Sequence, residues 1–244
     1  MTRSIVGWIC AGVLAFANGA PVVYEVEGKT YEGYYTSPHK TAPLVLLVHD
    51  WDGLDGYEKK RASMLHEMGY ATFAVDMFGK GVVADTVEKR RALTGDLYND
   101  RLKMRAILQA GVDAAKRVGA NVDNAIGIGY CFGGTVILDF ARSGAPLKAF
   151  VPFHGGLATP QGQSVEGITG EVVVFHGTAD TAISMEEFAT FAKELESAGI
   201  SHEMHTYSGA PHAFSVFGTP RYHAEADRKS WERFSGYLKE VFGK

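Results

Sequence analysis

One pentapeptide narrows the folds open to this chain more than any other stretch: Gly129-Tyr130-Cys131-Phe132-Gly133. A short apolar run at 125–128 precedes it and reads as a buried strand. A helix-like run follows at 135–142. The pattern G-x-C-x-G is the cysteine form of the G-x-S-x-G nucleophile elbow. In such an elbow the residues two before and two after the nucleophile crowd each other, and glycine, lacking Cβ, tolerates the approach. The sharp turn lifts the sulfur above the sheet and aims the first N–H groups of the helix at the reaction centre. Taken alone, the motif also fits a buried core cysteine beside a glycine-rich turn. Partners further along the chain decide between the two.

The rest of the chain alternates strands with helices. Residues 22–26 and 30–35 flank Gly28-Lys29 and read as a β-hairpin. Residues 44–48 (LVLLV) form a continuous apolar run, which suits a sheet covered on both faces. Further strands are expected at 70–75, 148–153, 171–175 and 202–207. Helices are expected at 58–68, 185–198 and 224–242. A long helix is expected at 100–118, with Leu102, Ile107, Leu108 and Val112 facing inward. Residues 80–99 are polar and read as a loop and a short helix; 157–170 read as a surface loop. The alternation argues for an α/β fold, a mostly parallel central sheet with helices on both faces. With 244 residues, 46% of them hydrophobic, the chain can build one large core, and a single domain over 21–244 is expected.

Residues 1–20 read separately. Arg3, an apolar run at 5–17 and the small-residue site Ala15-Phe16-Ala17 fit a secretory signal, cut after Ala17. The apolar run is short for a bilayer span, so no stable membrane insertion of the mature chain is expected. Export to the periplasm or medium follows if the signal is real; otherwise the chain stays in the cytoplasm. The cysteines are Cys10 and Cys131. Loss of Cys10 with the signal leaves Cys131 without an internal disulfide partner, which favours a working thiol. The formal charge of −4 gives no sign of a nucleic-acid partner.

Catalytic groups in open α/β sheets gather beyond the carboxyl ends of the strands. Cys131 follows one strand, Asp180 follows another inside His176-Gly-Thr-Ala-Asp180, and His212 follows the last. Nucleophile, acid, histidine is the chain order of α/β-hydrolases. A free thiol is mostly protonated at neutral pH. His212 would take its proton and return one to the leaving group. Asp180 would fix the tautomer of His212 and stabilise its cation. The N–H of Phe132 and one from the loop after Val48, at Trp51, would hold an oxyanion.

The chain resembles the dienelactone hydrolase family of α/β-hydrolases from about residue 23 to 242. The resemblance rests on Gly-Tyr-Cys-Phe-Gly-Gly at 129–134, Gly-Thr-Ala-Asp at 177–180 and Gly-Ala-Pro-His-Ala-Phe at 209–214. His49-Asp-Trp-Asp-Gly53 and Asp76-Met-Phe-Gly79 support it. It implies a triad of Cys131, Asp180 and His212, with oxyanion donors at Trp51 and Phe132. It implies hydrolysis of a small-molecule ester or lactone and needs no cofactor or metal. Two positions depart from the family pattern. Asp50 stands where members that hydrolyse dienelactone carry a glutamate, and Val216 stands where they carry a carboxylate-binding arginine. Arg90 and Arg91 match a second such arginine only loosely. The substrate expected is therefore less anionic than dienelactone.

Asp50, Tyr130 and Phe78 are candidate substrate contacts, and Trp51 and Tyr57 are further aromatic candidates for the pocket wall. His49, His154 and His176 end strands and are expected to shape loops or line the pocket. No His/Asp/Glu spacing marks a metal site. A monomer is expected. Two other functions fit the same residues: acyl transfer or amide cleavage by the same triad, and an exported binding protein that has lost turnover.

Overall fold

The protein is described by a computed structural model covering residues 19–243. The signal expected over 1–20, with its cut after Ala17, lies outside the described residues except for Gly19 and Ala20, and Ala20 already opens the first strand. Strands β1 (Ala20–Val26) and β2 (Lys29–Thr36) form the expected hairpin. Glu27 and Gly28 turn it with φ of 50° and 78°, the left-handed pair that matches strand twist in a two-residue loop.

The other strands are β3 (Pro43–Val48), β4 (Ala71–Val75), β5 (Asn121–Tyr130), β6 (Ala149–Phe153), β7 (Glu171–Gly177) and β8 (His202–Tyr207). They join one sheet in the order β1-β2-β4-β3-β5-β6-β7-β8. β2 pairs with β4 antiparallel, and from β4 to β8 every pairing is parallel. Every residue of β3, β4 and β6 is buried, as a sheet covered on both sides requires. Alternation sorts their side chains. Leu44, Leu46 and Val48 share a core with Ile107, Leu108, Val136 and Phe191, while Val45 and Leu47 share one with Leu65, Phe234 and Leu238. Each such Leu or Val buried from water contributes about 1.5–3 kcal/mol.

The helices are α1 (Gly56–Glu67), α2 (Val87–Asn99), α3 (Arg101–Arg117), α4 (Phe132–Arg142), α5 (Met185–Ser197) and α6 (Ala224–Phe242). Their starts are written in the sequence. Asp55 and Glu58 close a capping box on α1. Thr86, Asp100 and Ser184 each cap the third residue of α2, α3 and α5. Two expectations need correction. Residues 80–99 hold a full 13-residue helix, α2. Leu102 is 78% exposed. Asp100 caps α3 directly before it, which turns Leu102 outward and gives the core position to Met104. Among the described residues, no helix is long and apolar enough to cross a membrane.

Candidate active site

Cys131 stands between β5 and α4 with φ 50° and ψ −112°. A non-glycine residue held there costs on the order of 1–3 kcal/mol. The flanking glycines permit it. A Cβ on Gly129 would lie 2.1 Å from the carbonyl oxygen of Gly133, and one on Gly133 would lie 2.3 Å from that of Val48. The Cys131 N–H is shared between the Phe153 carbonyl at 3.0 Å and His154 Nδ1 at 3.2 Å. Phe132 opens α4, so its N–H has no partner within the helix.

Three strand ends meet above the sheet. His212 Nε2 lies 2.9 Å from Cys131 Sγ, and His212 Nδ1 lies 2.8 Å from Asp180 Oδ2. The other oxygen of Asp180 accepts the N–H groups of Ala182 (2.8 Å) and Ile183 (2.9 Å), so the carboxylate is aimed by its own loop. Burial works against the His212 cation, but its hydrogen bonds to Asp180 and Cys131, with their charges, prevail and push its pKa up to about 10. Burial likewise works against the Asp180 anion, and the hydrogen bond to His212 and the two loop N–H groups still hold its pKa below the usual carboxylate value. A thiol, an imidazole and a carboxylate so joined can pass one proton along the line and keep the resulting cation.

The loop after β3 lies beside the elbow. His49 is fully buried. Its Nε2 accepts the Met77 N–H at 3.0 Å, which puts its ring proton on Nδ1, and Nδ1 donates to the Asp50 carbonyl at 2.6 Å. That carbonyl and the Trp51 N–H belong to one planar trans peptide. Pinning the oxygen therefore sets the direction of the N–H on its far side. Asp50 is buried, with Oδ1 accepting the Asp52 N–H at 3.0 Å. Burial, then the neighbouring Asp52, pushes its pKa up to about 8.

These groups open onto a cleft of about 530 Å³. Asp50, Trp51, Cys131, Phe132 and His212 line it, and Asp180 stands behind His212. Tyr130 and Phe78 do not line it. Tyr130 alternates to the opposite face of the sheet, stacked on Phe153 and edge-on to Tyr57. Phe78 is buried behind the loop after β3, against the rings of His49 and Phe132. Tyr57 is buried with Tyr130. Arg90 packs over the Trp51 ring and lies 3.7 Å from Asp52, while Arg91 is exposed. Val216 is buried and off the cleft. His176 is buried against Phe188.

The structure adds wall residues that motif reading missed: Tyr98, Arg101, Thr135, Ile183, Glu187 and Arg221. Tyr98 ends α2 and packs on Phe132, and burial pushes its phenol up to about 12. Arg101 is held 2.6 Å from the buried Asp139. Among the described residues no cluster of His, Cys, Asp or Glu could hold a metal ion.

A mostly parallel sheet with an elbow after β5, an acid after β7 and a histidine after β8 is the α/β-hydrolase fold. The sequence profile of the dienelactone hydrolase family matches residues 31–242. The chain is 30% identical to the protein Usf of Aquifex pyrophilus over 204 residues, which cover 80% of this chain and 87% of that one. It is 29% identical, over the same shares, to a protein of Aquifex aeolicus named as a candidate carboxymethylenebutenolidase. A crystal structure of a dienelactone hydrolase-like promiscuous phosphotriesterase from metagenomic libraries superposes with a TM-score of 0.84 at 29% identity, covering 91% of this chain and 98% of that one. The chain belongs to the dienelactone hydrolase family, and is a carboxylic ester hydrolase of that type.

Proposed function

We propose that the protein cleaves carboxylic esters or lactones with Cys131 as nucleophile, through a thioester acyl-enzyme. The observation that carries this reading is the line Cys131 Sγ, His212 Nε2, His212 Nδ1, Asp180 Oδ2, with steps of 2.9 and 2.8 Å, at the floor of the cleft. The thiol proton passes to His212, whose raised pKa favours the imidazolium, and sulfur then bonds to the acyl carbon as the carbonyl electron pair moves onto oxygen. The N–H groups of Phe132 and Trp51 receive that oxyanion. Collapse expels the alcohol oxygen, which takes the proton from His212. Water, activated by the same imidazole, then attacks the thioester and releases the acid and the thiol. Losing one oxyanion donor typically costs about 3–4 kcal/mol of transition-state stabilisation.

The substrate body is small and mostly apolar, matching Trp51, Phe132, Ala182, Ile183 and Ala213 in the wall. Arg101 is committed to Asp139 and Arg90 to Asp52. Position 216 offers no cation, which supports a substrate less anionic than dienelactone, although Arg221 in the same wall would meet a negative group. The chain is further proposed to be exported and to act as a monomer; N-terminal sequencing of the mature protein and light scattering test these points.

The central test is hydrolysis of a panel of p-nitrophenyl esters and lactones, neutral and anionic, by the parent and by Cys131→Ala. The panel includes a neutral phosphotriester, because a structural relative is a promiscuous phosphotriesterase. Turnover is expected for neutral esters and should fall by about 10⁴-fold or more in Cys131→Ala, the scale of losing a nucleophile. Full turnover in Cys131→Ala would sink the mechanism. A well-folded parent silent on the whole panel would favour acyl transfer, a narrower substrate or the binding-protein reading.

A further inference from the structure

We infer that His154 is a positioning residue for the reacting pair, clamping the Cys131 elbow and the His212 loop to each other through its two ring nitrogens. The inference rests on the proposed function only in taking Cys131 and His212 as that pair.

His154 follows β6 and is fully buried. Its backbone is locked, with φ 41° and its N–H bonded to the Phe175 carbonyl at 2.8 Å. Its Nδ1 faces the Cys131 N–H at 3.2 Å. An N–H is met only by a lone pair, so the ring proton sits on Nε2. That nitrogen lies 2.8 Å from Ser215 Oγ and donates to it. Ser215 is three residues beyond His212 on the same loop, in the turn closed by the Val216 N–H on the Ala213 carbonyl at 3.0 Å. One rigid ring thus bonds to the backbone of the nucleophile and to the loop that carries the base. The ring also meets His212 edge-on at 5.5 Å and Phe214 at 5.2 Å.

Both clamped segments hold backbone that side-chain residues adopt rarely. Cys131 has φ 50° and Ala213, next to His212, has φ 60°. Such conformations persist only where the surroundings over-determine them. The clamp is itself anchored. Ser215 Oγ lies 2.9 Å from Tyr57 Oη, Arg61 Nε donates to that phenol at 3.2 Å, and Arg61 Nη2 donates to the Ser215 carbonyl at 3.0 Å. The clamp works only while His154 is neutral, because a proton on Nδ1 would point at the Cys131 N–H. Burial, then the nearby His212, Arg61 and Arg221, hold its pKa well below the usual histidine value. His154 therefore stays neutral while His212 carries the reaction proton.

The test uses two readouts on the full chain. One is kcat and KM on the best ester of the panel. The other is Cys131 alkylation by iodoacetamide at neutral pH, relative to alkaline pH, where any accessible thiol is ionised. His154→Asn keeps an acceptor near the Nδ1 position, His154→Gln keeps a donor near Nε2, and His154→Phe keeps neither. His154→Phe is expected to lower kcat by about tenfold to a hundredfold, the scale on which misplacing a reacting pair acts, with KM little changed. Its neutral-to-alkaline alkylation ratio should fall, and the Asn and Gln variants should each recover part of both losses. A folded His154→Phe with the parent's kcat and alkylation ratio overturns the inference. If that variant does not fold, Ser215→Ala reads the loop side: a drop in kcat at constant KM supports the clamp, and parental values overturn it. A parent without ester turnover defeats the ester reading alone, and the alkylation ratio still decides the clamp.

Discussion

At the residue scale, the proposed mechanism turns on the tautomer of His212, which Asp180 would set. The carboxylate receives Ala182 and Ile183 N–H groups on one oxygen, so its position does not depend on the histidine. Asparagine at 180 would keep its oxygen on those amides and turn its NH₂ toward His212 Nδ1. That nitrogen would then have to accept, and the ring proton would move to Nε2, facing Cys131. The lone pair that takes the thiol proton would be lost while the fold stays intact. Asp180→Asn is expected to lower kcat by about 10³–10⁴-fold while the protein still melts as a folded chain. Steady-state kinetics beside a thermal melt check this, and a loss under tenfold would remove Asp180 from the mechanism. Cys131, Asp180 and His212 were legible in the sequence because each closes a motif at a strand end. Tyr98, Arg101 and Arg221 were not. They reach the cleft from a helix end, the start of the next helix and a loop, and no local pattern records which way such segments fold back. Tyr130 misled for a simpler reason: it adjoins Cys131 in sequence, but strand alternation points it to the other face.

At the element scale, α1 and α6 cover one face of the sheet and are tied by a buried charge pair. Arg61 on α1 is 1% exposed, pairs with Asp227 on α6, and packs against the rings of Phe217 and Trp231. Asp227 also accepts the Tyr222 hydroxyl at 3.1 Å. Removing one partner of a buried pair strands the other charge away from water. Asp227→Ala should therefore cost about 3–5 kcal/mol, read as a lower urea midpoint with unchanged slope. A midpoint within error of the parent's would show that water reaches Arg61 freely. The same arginine anchors Tyr57 and the Ser215 carbonyl, so the histidine loop should become mobile in that variant. Most elements were visible as apolar runs or capped helices. The length of α2 was hidden because it buries little beyond Thr94 and Leu97, and its polar surface reads like a loop. Leu102 shows the converse: an apolar residue in a helical pattern faces water when the cap sets the phase of the first turn.

At the scale of the whole molecule, the active-site end carries a burden the rest of the fold must offset. Asp50 lines the cleft yet is buried, and Glu58 behind it is buried as well. Burial, and then the charge of Asp50, pushes the Glu58 carboxyl far above its usual value. Asp50 binds its proton up to about pH 8 when folded, against 3.8 as an ordinary aspartate. Between those values the folded chain holds a proton that the unfolded chain has released, so raising the pH favours unfolding. The stability present below 3.8 is lost progressively as the pH climbs toward 8. Asparagine at 50 removes the titration and keeps the oxygen that accepts the Asp52 N–H. Asp50→Asn should melt with the parent at the acid end of the range. It should outlast the parent above neutrality, by at least about 1 kcal/mol, or roughly 3 °C for a chain of this size. Melting curves of both proteins across that range would diverge with rising pH. Parallel curves would mean that the Asp50 carboxylate is already solvated by the cleft. Divergence together with reduced ester turnover in Asp50→Asn would show that the cost is kept for activity rather than left over from packing.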